Sequence, residues 1–245
     1  MSRFLMWIFL AVGFIWAEGK EEAIDDTMTL GVEGVLAKMA KADGSESAES
    51  NLKNLKVLHR MEMLGMGMVM EVEMISSVDS ALLVTTMNGT EMARQGYDGK
   101  TAWSKDMMMG LRPLEGQERH SLLQATLKGN FDRASLFDKI ILGKVKSFKG
   151  KEVLELIEKK KGLPDSHVYV DVKTWLVLGT KSLQSGPQGE IEATMKVEKY
   201  KKLKSGLQYP VLMTIEAGPM KMRMSVKSLE ENIDLKDVVF SMPKG

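Results

Sequence analysis

VLHRMEMLGMGMVMEVEMISSVDSALLVTTMNGTEMARQGYDGKTAW, residues 57–103, decides the fold. Side chains of a strand point alternately to its two faces, so apolar residues at every second position mark a half-buried strand. Met68, Met70, Val72 and Met74 share one face, with Glu71 and Glu73 on the other. Upstream, Val57, His59, Met61 and Met63 alternate with Leu58, Arg60 and Glu62. The glycine-containing run 64–67 reads as the turn between these two strands. Asn88-Gly89 and Asp98-Gly99 are dipeptides that favour tight hairpin turns. The stretch predicts a meander of about five antiparallel strands with one oily, thioether-rich face.

Outward from this meander the signals alternate between helix and strand. Upstream, Val32, Val35, Leu36 and Met39 recur at helical spacing and predict a helix over 24–41, ended by Asp43-Gly44. A short helical turn is expected around 47–52. Downstream, Met107, Met108 and Met109 form an apolar loop, and Pro113 leads into a second expected helix over 114–128. From residue 139 the strand pattern returns, with candidates at 139–148, 152–158, 167–172, 175–183, 190–200, 209–216 and 220–229. Glycine, proline and serine separate most of them. No repeat of fixed period and no low-complexity linker divides the chain, so one domain over 18–245 is expected. The class is mainly β with two principal helices, a curved antiparallel sheet that must bury its oily face.

Residues 1–17 read as a secretory signal peptide. Arg3 supplies a positive start, 4–16 is almost wholly apolar, and Ala17 is a plausible cleavage residue. The run is too short to span a bilayer comfortably. No Cys follows it, which excludes lipid attachment at a lipobox. Removal of 1–17 takes Arg3 and no acid, leaving basic and acidic residues equal in number. That balance argues against a nucleic-acid partner, whose phosphates call for a positive surface. The chain has no Cys, so disulfides and thiolate chemistry are absent.

Several phrases, in order, resemble the LolA/LolB-like superfamily of periplasmic lipoprotein-sorting proteins. Gly96-Tyr97-Asp98-Gly99-Lys100-Thr101-Ala102-Trp103 is similar to a hairpin of that superfamily, and 145–156 to its strand pair joined at a Lys/Gly turn. Tyr169-Val170-Asp171 with Thr174-Trp175-Leu176, the segment 200–210 with Gly206 and Tyr209-Pro210, and the ending 232–243 with Asp234, Phe240 and Pro243 complete the set. The resemblance covers about residues 28–245. It implies a half-barrel of about eleven strands, with helices as a lid over an apolar cavity on the concave face. It further implies a periplasmic, non-enzymatic carrier of lipid or lipoprotein acyl chains, with no cofactor. Such a carrier meets a membrane-anchored donor or acceptor protein, and a monomer is expected. The superfamily also serves sensor and interaction modules, so an envelope sensor is the alternative.

A cavity of this kind would be lined by Met61, Met63, Met68, Met70, Val72, Met74, Leu82, Val84, Trp103, Met222 and Met224. Met107, Met108, Met109 and Leu122 would belong to its lid. The resemblance also implies a strand arginine that holds the lid, for which Arg60 and Arg94 are candidates. Met is flexible and polarizable, and the same residues suit a filled core or a cavity that adapts to varied acyl chains. A third reading is Cu(I) held by His59, Met61 and Met63, since imidazole and thioether are soft ligands. Same-face residues lie about 6.6 Å apart along a strand, which makes convergence on one ion difficult. No zinc-protease, nucleophile-elbow or P-loop motif is present, so no enzyme and no metal centre is expected.

Overall fold

The computed structural model describes residues 30–186 and 189–244. The expected signal peptide and the first residues of the expected helix 24–41 lie outside the described residues. Helices α1 (Gly31–Asp43) and α2 (Ser45–Asn51) come first. Six strands follow: β1 (Asn54–Met63), β2 (Met68–Ser77), β3 (Ala81–Met87), β4 (Thr90–Tyr97), β5 (Ala102–Asp106) and β6 (Gly110–Pro113). Helices α3 (Gly116–Gln124) and α4 (Leu127–Phe131) and a 3-10 turn (Arg133–Leu136) then cross to the second half. That half contains β7 (Lys139–Phe148), β8 (Lys151–Lys159), β9 (Ser166–Asp171), β10 (Val177–Gly186), β11 (Gly189–Lys202), β12 (Gln208–Ala217) and β13 (Met220–Glu231).

All thirteen strands belong to one antiparallel sheet, in the order β6-β5-β4-β3-β2-β1-β13-β12-β11-β10-β9-β8-β7. Neighbours in sequence pair as antiparallel strands except β6 and β7, which the helices separate, and β1 with β13 joins the two halves, Met61 standing opposite Met224. The turns follow local chemistry. Asn88 and Gly89 take φ of 51° and 78°, the positive values a two-residue turn between twisted strands needs. Asp98 Oδ1 accepts from the Lys100 and Thr101 amides at 3.0 and 2.8 Å, which folds the Asp98-Gly99 turn. Asp171 Oδ1 does the same for Lys173 and Thr174 at 2.8 and 3.2 Å.

The sheet is a half-barrel rather than a closed one, since edge strands β6 and β7 do not pair. Register shifts at Leu58/His59, Leu142/Val145 and between Val197 and Tyr200 place extra residues that bend their strands. Strand β6 is not among those read from the spacing, because the apolar loop after Trp103 is itself a hairpin turn. Asp106 Oδ1 accepts from the Met108 and Met109 amides, and Gly110 turns the chain into β6. The helix expected over 114–128 is likewise two. Thr126 breaks it, its hydroxyl accepting from the Gly129 amide at 2.9 Å as the cap of α4.

Helices cover one face of the sheet, the inner face. Val35 and Met39 of α1 pack on Leu154, Leu156, Val168 and Val170 of β8 and β9. Ala48 and Leu52, at α2, and Leu127 of α4 pack on Leu55 and Val57 of β1. Leu122 of α3 packs with Ala102 and Leu114, beside Leu83 and Tyr97. On the outer face, Ile75, Leu82 and Trp103 form a separate cluster under Ile233, Leu235, Val238, Phe240 and Met242 of the C-terminal segment.

Candidate functional site: a thioether strip under a helical cover

Residues directly opposite in an antiparallel pair share a face, so register decides which of the expected lining residues meet. Met61 lies opposite Met70 on one side and Met224 on the other, and Met224 opposite Met213. One step along, Met63 lies opposite Met68 and Met222, Met222 opposite Ile215, and Ile215 opposite Met195. These rows make a continuous strip of thioethers across β2, β1, β13, β12 and β11. Among the described residues, Met61, Met63, Met68, Met70, Met222 and Met224 belong to no core cluster, and all but the more exposed Met68 are half-buried. Met74 differs, since it packs against the α2/α4 cluster with Val226 and Leu229. The inner face is thus filled core beneath these helices and an accessible apolar strip toward the β1–β2 turn.

Val72 continues the Met70 face and stands opposite His59. His59 is buried, and its Nε2 lies 3.3 Å from the Tyr209 hydroxyl. Burial lowers the imidazole pKa, and a hydrogen bond to the Val72 backbone only partly offsets this. Burial also pushes the Tyr209 phenol up. The ring is therefore a neutral, hydrogen-bonded member of the inner face. Among the described residues, no group of three His, Cys, Asp or Glu is placed to hold a metal ion.

Three groups of residues lie elsewhere than expected. Leu82, Val84 and Trp103 face away from the strip, into the outer cluster beneath the C-terminal segment, where Trp103 Nε1 donates to the Phe240 carbonyl at 2.8 Å. Leu82, Leu83 and Val84 are all apolar because both faces of β3 are covered. Met107, Met108 and Met109 rest on no cavity rim. They form the apex of the β5–β6 hairpin, and Met108 is 95 % exposed. Arg60 and Arg94 hold no lid: they pair with Glu62 and Glu91 of their own strands on the outer face. Leu122 does sit in the cover, in α3.

The cover is fastened by contacts the sequence pattern does not reveal. Arg133, in the 3-10 turn, forms a forked ion pair with Glu158 of β8, with Nη2 donating to Oε2 at 2.9 Å. The Glu158 side chain has no exposure at all. Here the arginine is on the cover and the acid on the strand. Ser76 Oγ donates to the Ala125 carbonyl at 2.6 Å, and the Lys128 amide to the Val78 carbonyl at 3.0 Å. Gln117, at the start of α3, donates through Nε2 to the Leu183 carbonyl of β10 at 2.7 Å. Helix α3 packs against β5, which is eight strand positions from β10 in the sheet order. Eight spacings would be about 38 Å in a flat sheet. One hydrogen bond closing that span shows how far the sheet curls and where the cover bridges it.

The sequence matches no family model and no curated protein. Solved structures do match. A DUF1329 family protein from Desulfovibrio piger superposes with a TM-score of 0.58 at 10% identity, covering 86% of this chain and 97% of that one. A LolA superfamily protein from Nitrosomonas europaea gives 0.54 at 13% identity, covering 86% and 97%. A putative outer membrane lipoprotein-sorting protein domain from Vibrio parahaemolyticus gives 0.53 at 10% identity, covering 81% and 94%. The chain has the LolA-superfamily fold.

Proposed function

We propose that this protein is an exported carrier of acyl chains, holding lipid or the acyl groups of a lipoprotein on the inner face of its half-barrel. The thioether strip carries this reading. Met61, Met63, Met70, Met222 and Met224 form an apolar surface that a folded protein would ordinarily fill, beside a cover fastened at its ends. Thioethers repack around chains of different length and saturation. The strip offers no charged group on which to select a headgroup, so the hydrocarbon is the recognised part. The solved structures include a lipoprotein-sorting domain, which supports the same cargo class. On this reading the protein acts in the periplasm after loss of 1–17, residues 18–245 work as one monomeric unit, and a membrane-anchored donor or acceptor completes the transfer. No covalent chemistry is involved.

The test is organic extraction of protein recovered from an exported fraction, followed by mass spectrometry, with titration of a fluorescent fatty acid alongside. Acyl species in the extract and saturable probe binding are expected. Met224→Glu should weaken the probe at least tenfold with the fold intact by circular dichroism. Absence of acyl species together with absence of probe binding overturns the reading.

A further inference from the structure

Nine large apolar side chains are exposed among the described residues, and six of them sit on two hairpin turns. Leu64, Met66 and Met68 occupy the β1–β2 turn, and Met107, Met108 and Met109 the β5–β6 turn. Strand direction alternates through the meander, so both turns lie at the same end of the sheet, together with the β12–β13 turn. The Leu64 amide donates to the Lys221 carbonyl there at 2.8 Å, which ties two of these turns together. Turn apices are normally polar or small. Here glycines supply the backbone geometry, and the remaining positions are thioethers and leucine. Scattered exposed apolar residues need no explanation, but a concentration at one end does.

We propose that this end of the sheet docks on a lipid bilayer, the two turns entering the interfacial layer as insertion points. The geometry favours a fluid apolar phase over a protein groove, because the apolar groups stand on separate apices. The apices also satisfy their own amides. Asp106 Oδ1 accepts from Met108 at 2.9 Å and Met109 at 2.7 Å, and the Met66 amide donates to the Met63 carbonyl at 3.2 Å. Hydrocarbon offers no acceptors, so a tip that enters it must bring its own. The Asp106 carboxylate, held below its usual range by those two amides, is a charge that confines insertion to the interface. Lys221 at the neighbouring turn is paired with Glu216. Docking on this geometry rests on apolar contact at the two tips.

The apex is continuous with the candidate site. Met68 closes the β1–β2 turn and stands opposite Met63, the first residue of the inner strip. An acyl chain leaving a bilayer at this end would meet apolar surface without interruption; that step rests on the carrier reading, whereas docking does not.

The chain has no Cys, so single labels can be placed cleanly. Met66→Cys, Met108→Cys and, at the opposite end, Lys100→Cys are labelled with nitrobenzoxadiazole and mixed with protein-free phosphatidylcholine vesicles. A blue shift at positions 66 and 108, quenched by spin-labelled lipid, with none at 100, is the expected result. Local labels report on the tips whatever the state of residues 1–17. Equal shifts at all three positions mean general adsorption and overturn the proposal. A response only when membrane proteins are present assigns the tips to a protein partner and overturns it too. Combined Met66→Asp and Met108→Asp should abolish tip insertion while fatty-acid binding in solution remains. If the tips stay in water while that probe binds, docking fails and the carrier reading stands.

Discussion

Arg133 and Glu158 form a forked ion pair between the helical cover and strand β8, with the carboxylate wholly removed from solvent. The two residues lie on separate layers of the molecule, and their contact fixes the segment after α4 onto the sheet. A buried carboxylate tolerates its charge only while a partner and hydrogen bonds replace water. Arg133→Ala removes the partner and leaves the acid behind, which should destabilise the fold by about 3 kcal/mol. Arg133→Met combined with Glu158→Leu removes both charges and should recover most of that loss. Urea denaturation of the two variants decides the matter. Equal destabilisation by both would show that side-chain packing, and not the ion pair, is what the site contributes.

Acid should loosen the molecule before its carboxylates titrate. His59 is held below its ordinary pKa by burial, and His120 by burial and then by the Lys160 charge, with Arg133 and Arg119 adding to it and Glu158 opposing. A depressed base binds fewer protons folded than unfolded, so stability is complete above about pH 6.5, the ordinary His value. It falls as the pH drops through that value toward the lowered folded pKa. Charging His120 also places a cation beside Arg133 and Lys160, next to the ion pair that fastens the cover. Melting temperature should therefore decline between pH 7 and pH 5, and less so in His59→Gln/His120→Gln. A profile identical in the double variant would remove the histidines as the cause.

The outer cluster predicts a second stability effect. A Cβ on Gly96 would lie 2.5 Å from the Trp103 ring, which is 1 % exposed and hydrogen-bonded to Phe240. The ring cannot retreat. Gly96→Val should cost about 1–3 kcal/mol through overpacking and release the C-terminal segment, visible as faster amide exchange over residues 233–242. Trp103→Ala should cost about 3–5 kcal/mol. Neither change touches the thioether strip, so fatty-acid binding per folded molecule should be unaltered.

Much of this was legible in residues 57–103. The period of two in β1 and β2 put Met61, Met63, Met68 and Met70 on one face, and pairing keeps them there. That Met224 joins them depends on β1 meeting β13, a contact in the middle of the sheet between the first and last strands of the chain, which spacing alone does not encode. Leu82, Val84 and Trp103 were illegible for another reason. Where both faces are buried, three successive apolar residues carry no parity, and the covering segment lies far along the chain. Met107, Met108 and Met109 read as a gate because they are apolar, although Asp106 and Gly110 on either side are the marks of a tight turn. The Arg133–Glu158 pair joins the turn before β7 to a strand 25 residues further on, a contact that periodicity does not encode.

The hydrogen bond from Gln117 to the Leu183 carbonyl gives the cover a clasp that ion pairs elsewhere do not duplicate. It is exposed, so water replaces it readily and its loss should lower stability by no more than about 1 kcal/mol. Kinetics should be more sensitive than stability. Helix α3 is anchored at its other end by Leu122 against Ala102 and Leu114, so its start can swing from β10 while the anchor holds. Segments with few anchoring contacts open at the lowest free energy. Gln117→Ala should therefore speed release of a bound fluorescent fatty acid about fivefold, the factor that roughly 1 kcal/mol corresponds to. Gln117→Glu should speed it further, because a carboxylate facing the Leu183 carbonyl repels where the amide donated. Stopped-flow displacement measures both. Release rates equal to the unmodified protein's in both variants would mean that cargo leaves by another route, past the β1–β2 turn, and that α3 stays closed throughout.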